Sequence, residues 1–139
     1  MATSQCSQSN LQTIPRRKCN VQACYSDYLQ CAAWSSTDED GEPLDSYQFS
    51  DEAEKEMRSD LDAFCELVES IPNLETEYAE AGETPEQFAH DFWLTRNHHG
   101  AGFWDRGLGK IGERLTNLAY SMGGVDLCLN DDTWQIEIV

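Results

Sequence analysis

Apolar positions recur at helical spacing in three stretches of the chain and alternate at its end. Val21, Cys24, Tyr25, Tyr28, Cys31 and Ala32 share one face of a helix over 20–35, with Trp34 near its end. Ser35 to Tyr47 is a loop marked by Gly41 and Pro43. Ala53, Met57, Leu61, Phe64, Leu67 and Val68 form the stripe of a second helix. Ser50 or Asp51 caps it, and Glu54 stands at capping-box spacing from Asp51. Pro72 interrupts this helix, and a short one resumes over 73–81. Thr84-Pro-Glu-Gln87 is a helix start: a capping Thr, Pro at the first helical position and Gln three after the cap. Beyond it, 91–96 and 102–104 read as a hairpin around the turn-like Asn97-His-His-Gly100. Leu108, Ile111, Leu115, Leu118, Ala119 and Met122 predict a third main helix, ended by Gly123-Gly124. Gly109 and Gly112 weaken its first turns or allow close packing. Val125, Leu127 and Leu129, then Trp134, Ile136 and Ile138, alternate on either side of Asn130-Asp-Asp-Thr133 and predict a C-terminal hairpin. The expected fold is α+β, with about three main helices packed on a small antiparallel sheet. Residues 1–18 read as a polar leader and 19–139 as one domain.

Charge changes this picture. The net charge is −17, and 19 Asp and Glu fall between positions 36 and 91 against only Lys55 and Arg58. The leader carries the opposite sign in Arg16-Arg-Lys18. It reads as a solvated tail, whose triplet could touch an acidic partner or fold back on the acidic middle. A sequence pI near 4.2 argues against direct binding to nucleic acid or an anionic membrane. No apolar run approaches the ~18 residues of a membrane span. The N-terminus lacks an apolar h-region, so the expectation is a protein of the bacterial cytoplasm. The six cysteines then read as reduced thiols. The spacing of Cys19, Cys24 and Cys31 does not suit a zinc knuckle, and Cys65 and Cys128 fall at apolar positions. No metal and no cofactor is expected.

Candidate chemistry concentrates in His90–Gly107, which holds all three His, Trp93, Trp104, Arg96 and Arg106. His90 and Asp91 with His98 and His99 offer metal-ligand types, but no HExxH accompanies them. His98 or His99 beside Asp105, with Arg106 steadying an oxyanion, would serve acid–base chemistry if the fold assembled them. Trp, Arg and His are also interface residues. Against all three stands the plain reading that the aromatics fill the core and the charged groups pair locally. There is no GxxxxGK[ST] loop and no GxSxG elbow.

Ala33-Trp-Ser-Ser-Thr-Asp38 with Gly41-Glu-Pro-Leu-Asp45, and His90-Asp-Phe-Trp-Leu-Thr-Arg-Asn97 with Gly100-Ala-Gly-Phe-Trp-Asp-Arg-Gly107, resemble strings of a group of small acidic proteins encoded by bacteriophages, prophages and plasmids. The resemblance covers roughly residues 20–138. His98 stands where that group has Gly, and the cysteines are peculiar to this chain, which weakens a metal role for either. The resemblance implies a genomic setting and no catalytic residues. With the charge, it leads to the expectation of a non-enzymatic accessory protein that binds a basic host protein, such as a CRISPR or restriction complex, by a nucleic-acid-like surface. Asp51, Glu52, Glu56, Asp60, Asp62, Glu66 and Glu69 would supply that surface. Arg96, His99, Trp104, Asp105 and Arg106 would form a second, shape-specific patch. A small-molecule binder or hydrolase built on the His90–Arg106 segment, and a structural phage component, are the alternatives.

Overall fold

The computed structural model describes residues 21–100 and 102–139, with side chains from Cys24 onward. The leader at 1–18 lies outside the described residues. Helix α1 spans Val21–Ser35, α2 Asp51–Glu69, α3 Leu74–Glu80, α4 Pro85–Arg96 and α5 Lys110–Ser121. A 3-10 turn, Phe103–Asp105, lies between α4 and α5. Strands β1 (Gln48–Phe49), β2 (Leu127–Leu129) and β3 (Gln135–Ile138) make a small sheet in the order β1-β3-β2.

The described residues are α+β, with five α-helices rather than about three main ones, and their sheet is mixed rather than antiparallel. β2 pairs antiparallel to β3, with Leu127 opposite Ile138 and Leu129 opposite Ile136. β1 runs parallel to β3, Phe49 opposite Ile136. Two residues just before a helix cap carry too little pattern to announce a strand. β1 exists because Ile136 at the sheet centre offers hydrogen bonds on both edges; its carbonyl also accepts from Ser50 N at 3.0 Å.

The predicted hairpin over 91–104 is also corrected. α4 continues through Phe92-Trp-Leu-Thr to Arg96, and 103–105 is the 3-10 turn. Thr84 caps α4 by accepting from Gln87 N, and Pro85 fixes its first turn. Phe88, Ala89, Phe92, Trp93 and Arg96 then fall on one buried side at helical spacing. Aromatic and β-branched residues favour strands only weakly, and burial on both neighbours of this helix overrides that preference.

α1 lies along α4 in the same direction. Cys24 Sγ donates to the Pro85 carbonyl, Cys31 Sγ approaches the His90 carbonyl, and Trp93 Nε1 donates to Ser35 Oγ, so partners advance together along both helices. On α2, Ser50 rather than Asp51 is the cap, accepting from Ala53 N. Ala53, Met57, Leu61, Phe64, Cys65 and Val68 are its buried residues. Phe64 is the hub of the core. It stacks on Phe92 with ring centroids 4.1 Å apart, and on Phe88 and Phe103 at 5.2 and 5.9 Å. Such pairs each add about 1 kcal/mol beyond the area they bury. One buried cluster thereby runs from Cys24 to Ile136 and leaves the opposite face of α2 to water.

Candidate acidic recognition surface

The seven predicted carboxylates of α2 divide by depth. Asp51, Glu52, Glu56 and Glu66 are exposed, whereas Asp60, Asp62 and Glu69 are half-buried. Asp60 is committed to Arg96, its Oδ2 2.9 Å from Nη1. Asp62 accepts from the Tyr25 hydroxyl at 2.6 Å. Burial, then this bond and the negative charge of Asp62, raise the Tyr25 pKa far above its ordinary value. Arg58 is held by Glu54 on the preceding turn and lies over the Tyr25 ring. The outward row is therefore Asp51, Glu52, Glu56 and Glu66. Its first members also suit the positive end of the helix dipole.

Sequence reasoning placed Arg96 and Arg106 in a recognition patch. In the structure both make internal ion pairs, Arg96 from a buried position and Arg106 from an exposed one. Arg96 is only 3% exposed. It donates to Asp60, the Tyr28 hydroxyl and the carbonyls of Met122 and Gly123, and its guanidinium lies over Phe92. It thus ties α4 to α1 and α2 and satisfies carbonyls at the C-terminal end of α5. Burial holds the Tyr28 hydroxyl protonated well above its usual range, even against the opposing pull of Arg96. Arg106 grips the fully buried Asp91 with two bonds, Nε to Oδ2 at 3.0 Å and Nη2 to Oδ1 at 2.8 Å. Gln87 supplies a third donor to Asp91. This bonding raises the Arg106 pKa further.

The rest of the segment does not converge. His98 is exposed at φ 60° and stacks on Tyr120, 4.6 Å between centroids. His99 is exposed beside a cleft shared with Ser35, Thr37, Trp93 and Asp126. The His90 carbonyl faces Cys31, whose thiol burial pushes up to about 11. Asp105 and Trp104 are exposed, Trp104 over a second cleft with Leu108, Glu113 and Asn117. Among the described residues, no group of three or more His, Cys, Asp or Glu is placed to hold a metal ion.

Two features escaped the sequence reading. The expectation that no G-x-G-x-x-G is present is corrected by Gly107-Leu-Gly-Lys-Ile-Gly112, which spells one at a helix start. No strand precedes it here, and the last glycine has a packing reason: a Cβ on Gly112 would lie 2.9 Å from the Phe103 carbonyl oxygen. The second feature is a cleft of about 540 Å³ lined by Asp38, Glu39, Asp40, Asp131, Tyr47, Cys128 and Trp134 among others. Trp134 is 58% exposed at φ 57°, its ring near-parallel to that of Tyr47. Asp38 orders one wall by accepting from Asp40 N and Glu42 N. Asn130 orders the other by accepting from Asp132 N and Thr133 N. Acids beside an exposed Trp were visible in the sequence on both sides, but the 36–47 loop and the 130–134 turn meet only through the sheet.

No protein-family model, curated protein or solved structure matches the chain. No helix among the described residues is long and apolar enough to cross a membrane.

Proposed function

We propose that this chain is a non-enzymatic accessory protein of a phage or other mobile element that binds a basic surface on a host protein. A nucleic-acid-directed defence complex is the host target that best fits its charge. The observation that carries this reading is the outward row Asp51, Glu52, Glu56 and Glu66 on a rigid 19-residue helix whose other face is locked into the core. Rigid negative charge of this kind attracts a groove built for phosphates and speeds encounter with it. Charge alone does not select a partner. In this reading selectivity comes from the Tyr47–Trp134 cleft, where an aromatic anchor and carboxylates would receive a Lys or Arg side chain of the partner. This reading puts selectivity there rather than at Arg96 and Arg106, whose guanidinium groups are engaged by Asp60 and Asp91. The resemblance of the 33–45 and 90–107 strings to phage and plasmid proteins supports the biological setting.

The immobilised full-length chain should retain a basic protein from bacterial lysate. The variant E52K/E56K/E66K should lose it, with affinity at least about tenfold weaker. Retention that is unchanged by these reversals contradicts an electrostatic basis for binding.

A further inference from the structure

Tyr47 and Trp134 stand one residue before Gln48 and Gln135, which face each other in the parallel pair of β1 and β3. The sheet therefore sets the two rings side by side, with centroids 6.5 Å apart and planes only 17° from parallel. Rings held this way present flat faces and do not form a cage. Both line the cleft of about 540 Å³ described above, and they are the aromatic residues of its described lining. Asp38, Glu39, Asp40 and Asp131 border the same space. None of these acids joins an ion pair among the described residues, where Arg58, Arg96 and Arg106 are taken by Glu54, Asp60 and Asp91. An indole face open to water beside carboxylates is chemistry for a cation, and the flatness of the rings bears on which cation.

We propose that this cleft selects arginine over lysine. One arginine side chain of the bound partner lies with its guanidinium along the faces of Tyr47 and Trp134 and its N–H edge toward the carboxylates. A guanidinium is planar, stacks on aromatic faces and is more weakly hydrated than an ammonium, so it loses less on leaving water. Its five donors also serve more than one carboxylate at once. A lysine ammonium is a compact, strongly hydrated point charge; it feels the same carboxylates but matches no flat face. The inference rests on the function proposed above for the source of the arginine, a basic partner, and not on the outward row of α2.

Blocked tripeptides test it on the full-length chain: acetyl-Gly-Arg-Gly-amide, its lysine counterpart and its trimethyllysine counterpart, each titrated while the indole N–H signals are followed by NMR. The arginine peptide should move the Trp134 signal, identified by its loss in Trp134→Leu, and bind about fivefold tighter than the other two. Equal affinities, tighter binding of either lysine peptide, or a Trp134 signal that stays still at saturation overturns the proposal. Trp134→Leu should bring the arginine and lysine peptides level. The residue is 58% exposed, so the variant is expected to fold, and the preference in the unaltered chain decides if it does not. E52K/E56K/E66K should bind every peptide more weakly yet keep their ratio; a preference that vanishes with that row also overturns the proposal. Capture of a host protein without any arginine preference sinks this inference and leaves the function proposed above. An arginine preference without a captured partner does the reverse.

Discussion

Single residues in this chain separate into those that hold the fold and those that face outward, and charge alone does not tell them apart. Arg106 and Asp91 look like an ordinary loop pair in sequence, yet Asp91 is wholly buried. Arg106→Ala would remove two of that carboxylate's three side-chain donors and its neutralising charge, leaving Gln87. The expected loss is about 3 kcal/mol in urea unfolding, whereas the charge-conserving Arg106→Lys loses less by keeping one of two bonds. Trp134 behaves differently. A non-glycine residue in left-handed backbone costs about 1 kcal/mol, and its ring contact with Tyr47 returns a similar amount. Trp134→Gly should therefore leave thermal stability nearly unchanged while weakening partner binding. A large drop in melting temperature would mean that the ring is structural. Neither role was legible from residue type. Arginines usually occupy surfaces, and only the assembled fold reveals the four acceptors of Arg96, on α1, on α2 and just past the end of α5.

Elements with local signals were readable and those that depend on distant partners were not. The caps at Ser50 and Thr84, the break at Pro72 and the stripe of α2 each act within a few residues, so α2 and the start of α4 follow from the chain itself. The end of α4 is set by what packs on it. The Phe92-Trp-Leu-Thr run suits strand or helix, and α1 lying alongside decides for helix. β1 is two residues long and owes its existence to β3, 87 positions later in the register. The 3-10 turn and α5 are joined by Gly112, which sits against the Phe103 carbonyl. Gly112→Ala gains about 1 kcal/mol of helix propensity but drives a methyl into fixed backbone. A net loss of about 1 kcal/mol or more is expected by denaturant unfolding. A gain would show that this contact relaxes freely.

At the scale of the whole molecule, protonation and surface charge set its behaviour. Cys31, Tyr25 and Tyr28 all hold their protons more tightly folded than unfolded, mainly through burial. Above the unfolded thiol value the unfolded chain binds fewer protons, so stability falls as pH rises. For Cys31 the loss spans about pH 9 to about 11, and the tyrosines extend it upward. Thermal unfolding across pH 7–11 should show a plateau and then a decline; Cys31→Ala should remove the first part of that decline. The acidic bias was plain from the sequence. Its division into carboxylates spent internally and carboxylates left facing water was not, because Asp60 and Asp62 differ from Glu56 and Glu66 only in what α1 and α4 bring against them.

Recognition of a basic partner through those outward carboxylates is the central claim. Its most direct measurement is competition: the immobilised chain, loaded with the host protein it captures, is challenged with duplex DNA and with about 0.5 M salt, which screens charges beyond a few ångströms. Release by both, together with loss of capture by E52K/E56K/E66K, is the predicted result. A partner that stays bound through DNA and salt, and binds the reversed variant equally well, would contradict it.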